Sequence, residues 1–152
     1  MIRVFKAAPR VSRVSVGKDT GQQLVTATST VVLFETDIYD PDGLHSTVSN
    51  VSRITIPAGA KRAQFFAGIA FVNNAVGVRR AALLKNGSGL SPGMLDIRTN
   101  PDAAELTVIH LISPILTVAA ADYFEMQAYQ TSGGNLFLST NNCHFGATVY
   151  YS

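Results

Sequence analysis

A few groupings in this 152-residue sequence carry side chains capable of chemistry. Gly89-Leu90-Ser91-Pro92-Gly93 matches the G-x-S-x-G string of a hydrolase nucleophile, and Asp96, Asp102 and His110 follow it in a workable order. A nucleophile elbow needs a helix after the serine. Here proline follows Ser91 directly and no helical run comes next, so the stretch reads as a turn. Asp37, Asp40 and Asp42 with Gly43 form a candidate set of oxygen ligands for Ca²⁺, but the distal glutamate of a calcium loop is missing and Asp-Pro-Asp-Gly is also ordinary turn chemistry. His45, His110 and His144 lack His-x-x-x-His spacing and read as structural. Cys143 is the single cysteine and reads as inert packing. With no convergent acid, base or nucleophile, no enzymatic role, cofactor or metal is expected.

Charge is unevenly spread. Up to Thr20, Arg3, Lys6, Arg10, Arg13 and Lys18 stand against Asp19 alone, a net +4, while the remainder has 7 basic and 9 acidic residues, a net −2. Residues 1–22, polar or basic with scattered valines, are expected to form an extended arm ordered by a partner, with Arg3, Phe5, Lys6, Arg10 and Arg13 as docking residues. Phe5 is the one aromatic available for base stacking, and the domain as a whole is not strongly basic. An acidic protein surface therefore fits better than nucleic acid.

The remaining residues, 23–152, must supply the fold. Apolar residues make up 47% and charged residues 14%, a charge-poor surface that suggests burial against partners. No stretch approaches the roughly 18 uninterrupted apolar residues of a membrane span, and the N-terminus lacks the apolar segment of a signal peptide. Short runs rich in Val, Ile, Phe, Thr and Tyr recur between turn signals such as Lys85-Asn86-Gly87 and Ser132-Gly133-Gly134-Asn135, and Pro114 divides Glu105–Val118. The expectation is an all-β, two-sheet antiparallel sandwich of about ten strands. From Phe65 to Val72 both alternating residue sets are apolar; the set at 123, 125, 127 and 129 mixes tyrosines with polar tips. A sandwich gives each strand one buried face, so a second apolar face calls for another cover, most simply a second copy of the chain.

Three segments carry a resemblance: Glu35–Val72, the Leu83–Gly89 run LLKNGSG, and Ser113–Tyr151. In order and spacing they resemble the C1q/TNF-like jelly-roll domain, in the version found in bacteriophage structural proteins. One departure is Ala121-Asp122, where many relatives have Gly-Asp. The resemblance implies a ten-stranded jelly roll packed as a homotrimer with one sheet facing the threefold axis. Phe66, Tyr123, Tyr129, Val149 and Tyr151 are the residues expected at that interface, although a slip of one position exchanges the faces of a strand. It further implies a non-enzymatic virion protein, assembled in the host cytoplasm. Its arm would dock on the major capsid protein or another virion protein, as a head decoration or cement protein does. The alternative is the tip of a tail fibre that binds a receptor or a host surface glycan.

Overall fold

Branched and aromatic side chains that suit a pleated surface dominate the strand segments. In the computed structural model, which describes residues 9–90 and 95–152, they form β1 (Val11–Gly17), β2 (Gln22–Leu24), β3 (Thr30–Val31), β4 (Thr36–Tyr39), β5 (Arg53–Thr55), β6 (Arg62–Phe71) and β7 (Arg79–Lys85). After these come β8 (Ser88–Gly89), β9 (Asp96–Thr99), β10 (Thr107–Ile112), β11 (Leu116–Thr117), β12 (Tyr123–Gln130), β13 (Leu136–Leu138) and β14 (His144–Tyr150). The expected all-β sandwich is what the chain adopts, with 14 strands among the described residues instead of about ten because several are two or three residues long.

Two antiparallel sheets face each other. In the first, β6 is central: β10 and β11 pair along one side of it, β14 and β13 along the other, and β14 continues outward to β1 and then β4. In the second, β12 and β7 form the spine, flanked by β3 and β5 on one side and by β8 and β9 on the other. The core between them is aromatic. Phe65 of the first sheet stacks on Phe124 of the second at 4.1 Å between ring centres, and Phe145 joins Phe65 at 6.1 Å and Phe34 at 5.7 Å. Each such fully buried ring stabilises the fold by roughly 1.5–3 kcal/mol through removal from water.

Turn chemistry sets the strand ends. Asn86 and Gly87 both hold positive φ, 51° and 78°, the twist that joins β7 to β8 without splaying them. Pro114 does split its segment: Ser113 bonds Phe65 through both its N–H and its hydroxyl oxygen, closing β10 before β11 begins.

The expected arm needs correcting. Val11–Gly17 is a strand paired along its whole length with β14, and Val14 and Val16 are core residues. The period-two spacing of Ser12, Val14 and Val16 was the signal, masked by polar residues on the other face. The basic residues part company accordingly. Lys18 is buried, its ammonium donating to the Leu33 carbonyl at 2.9 Å and to Glu35 at 3.0 Å, and Arg10 lies over the Tyr151 ring at 4.4 Å. Arg3, Phe5 and Lys6 lie outside the described residues.

Candidate functional site

The outward face of the first sheet follows from register. Directly paired residues of antiparallel strands point the same way, so Ile112, Phe66, Gly146 and Ser15 form one row across β10, β6, β14 and β1. The next row holds His110, Gly68, His144 and Gly17. Two glycines flatten this surface. A Cβ on Gly146 would overlap the Phe66 ring and one on Gly68 would overlap the His144 ring, so each ring lies down across its neighbouring strand. His144 thereby comes to 6.2 Å from His110 and 6.5 Å from Phe66, ring centre to ring centre. Burial, then the nearby His110, hold the His144 imidazole below its ordinary range.

Large apolar side chains stand open to water here: Ile112 is 73% exposed, Tyr39 58% and Val108 40%. Tyr39 pairs with Ser15 and extends the same face onto β4. Beside it, between β1, β4 and the turn before β14, lies a pocket of about 390 Å³ lined by Ser15, Gly17, Thr36, Ile38 and His144 among others. Its floor touches Lys18, whose partner Glu35 is pushed up by partial burial, yet Lys18, the Asp19 N–H and Thr20 outweigh that and hold its carboxyl below the usual range.

The outward face of the second sheet is built differently. Arg53 stacks on Tyr123 at 3.9 Å and donates to Glu125 at 3.2 Å; Ser52 also donates to Glu125, at 2.7 Å. Arg80, opposite Tyr129, grips Asp96 with two bonds of 2.5 and 2.6 Å. At one end of β12, Asp122 accepts from Lys85 at 2.8 Å, from Asn86 at 2.9 Å and from the Ala119 N–H at 2.9 Å. Burial alone would raise this carboxyl, but those donors win and hold it at about 2.

Set on this geometry, the five residues expected at a subunit interface separate. Phe66 lies on the apolar outward face of the first sheet. Tyr123 and Tyr129 lie on the outward face of the second, and so cannot share a flat interface with Phe66. Val149 is fully buried, and Tyr151 packs against the core with its hydroxyl 3.0 Å from Ser12. In the last strand the slip of one residue is the cause: His144, Gly146, Thr148 and Tyr150 face outward. Arg13, assigned to docking, is on the first sheet's outward face opposite Thr148. The residues missed are Val108, His110 and Ile112, visible in the sequence as the second apolar set of Thr107–Ile112.

The carboxylate cluster is not brought together. Asp37 accepts from the His45 ring at 2.7 Å, Asp40 accepts the N–H groups of Leu44 and His45 at 2.9 and 2.8 Å, and Asp42 is exposed in the turn. Among the described residues no three His, Cys, Asp or Glu side chains converge on a common point. Cys143 is buried and takes an N–H from Ala70 at 3.3 Å, and burial pushes its thiol up, so it is a packing residue. Asp96 is committed to Arg80, and Ser91 lies outside the described residues.

No family model and no curated protein sequence matches the chain. Solved structures do. Murine APRIL at pH 8.5 is similar at a TM-score of 0.65 and 7% identity, covering 91% of this chain and 98% of that one. Eiger TNF from S. frugiperda gives 0.65 and 9% identity over 95% and 94%. The globular domain of zebrafish complement 1qA protein gives 0.59 and 13% identity over 93% and 96%. At these identities the likeness is one of fold, and the fold is the C1q/TNF-like jelly roll.

Proposed function

We propose that this chain works as a non-enzymatic homotrimer whose first sheet faces the threefold axis. The observation that carries the reading is the outward row Ile112, Phe66, Gly146, Ser15 and Tyr39, with large apolar side chains left exposed and the surface flattened by Gly68 and Gly146, on a chain whose other face is covered by its own ion pairs. Flatness lets backbones approach closely, and exposed aliphatic and aromatic groups are what interface cores contain. The setting is a bacteriophage particle, as a capsid decoration protein, on the strength of the resemblance in Glu35–Val72 and Ser113–Tyr151. The docking element is the N-terminal segment holding Arg3, Phe5 and Lys6, three copies of which act together through effective concentration.

Light scattering tests the assembly: a mass three times the 16.2 kDa chain at micromolar concentration is expected, and a monomer refutes it. Removal of residues 1–8 tests the docking, since the shortened trimer should fail to bind particles that the intact one decorates. Undiminished decoration would overturn that part alone.

A further inference from the structure

We infer that His110 and His144 form a two-imidazole site for a borderline divalent metal ion such as Zn²⁺ or Ni²⁺, spanning β6 above Gly68. The two residues lie on strands to either side of β6, each paired with Gly68, so their side chains leave the sheet in the same direction. Glycine at the midpoint is what permits the approach, because a side chain there would occupy the space of the His144 ring. A metal held at about 2.0–2.1 Å by a nitrogen of each ring sits roughly 3.2 Å from each ring centre, so chelating imidazoles stand about 5–6.4 Å apart. The observed separation is 6.2 Å, with the rings tilted by 41°.

The chemistry of the two side chains suits the task. Imidazole is a common nitrogen ligand for such ions and binds through a ring nitrogen that carries no proton. Neither ring nitrogen set is spent on a protein hydrogen bond among the described residues, in contrast to His45, both of whose nitrogens are engaged by Asp37 and Val51. Within a single chain His110 is exposed, so there the remaining coordination positions fall to water. Both ligating side chains come from the same chain.

Equilibrium dialysis of the tag-free, full-length protein against ZnCl₂, read by metal analysis, tests the inference whatever the assembly state. Light scattering on the same samples reports assembly separately. One ion per chain is expected, saturating below about 1 mM, with a loss of tenfold or more in affinity in His110→Ala and in His144→Ala. Gly68→Ala, which displaces the ring while keeping both histidines, should weaken binding in the same direction. Absence of saturable binding up to that concentration, or wild-type affinity in either histidine variant, would overturn the site.

Discussion

The two outward faces of this sandwich solve the same problem in opposite ways. On the second sheet, Arg53 with Glu125 and Arg80 with Asp96 cover the tyrosines and aliphatic stems, so the face is finished within the chain. On the first sheet, glycines replace side chains, rings lie flat, and Ile112, Val108 and Tyr39 remain uncovered. A face that carries its own counter-charges has little to gain from a partner, since those pairs would have to be desolvated. The apolar part of a face without such pairs gains roughly 25 cal/mol for each Å² it buries. Burial against a partner is therefore expected on one side only.

The largest expected effect separates β1 from the segment before it. Deleting residues 1–20 removes Val14, Val16 and Lys18 from the core and strips β14 of its neighbour on one side, which should cost several kcal/mol and abolish cooperative thermal unfolding. Deleting residues 1–8 should leave the melting temperature where it was. If both shortened chains melt like the parent, β1 does not belong to the first sheet in solution.

Next in size, Ile112→Asp should reduce the mass in solution to that of one chain while leaving the circular dichroism spectrum unchanged, because the side chain is largely exposed within its own subunit. Tyr129→Asp, placed on the charged face, should leave the mass untouched. Reversal of the two results would place the interface on the second sheet and overturn the proposed packing.

A smaller effect tests the self-sufficiency of the second sheet. The Asp122 carboxyl is held at about 2 against an ordinary 3.8, so its ionised form contributes stability above about pH 4 that is lost as the pH falls through 2. Asp122→Asn should cost about 1–2 kcal/mol in denaturant unfolding at pH 7, with the gap to the parent closing between pH 4 and 2. A gap that persists at the acid end would mean the loss is steric.

The smallest prediction concerns the residue beside it. Ala121 holds φ of 67°, a conformation costly to any residue with a Cβ. Ala121→Gly should raise stability by about 1 kcal/mol in the same unfolding assay, relief of strain outweighing the greater freedom of glycine in the unfolded chain. The departure from Gly-Asp noticed in the sequence thus has a physical meaning: the turn keeps the glycine geometry without the glycine.

Period-two alternation and turn residues were enough to establish an all-β sandwich, because a pleated strand writes its burial directly into the order of side chains. Phe65 to Phe71 and the Asn86-Gly87 turn were legible in this way, and so was the surplus of apolar residues over what one core can hold. Which of two apolar sets faces inward was not legible: Val149 and Thr148 differ by one position, and only packing against Phe34 and Phe65 through Phe145 decides between them. The place of Val11–Gly17 was equally a tertiary matter, since a strand edged with Arg and Ser looks like a solvated arm until β14 pairs with it. The same holds for His110 and His144. They are far apart in sequence and meet only because β6, with a glycine at the crossing, runs between their strands.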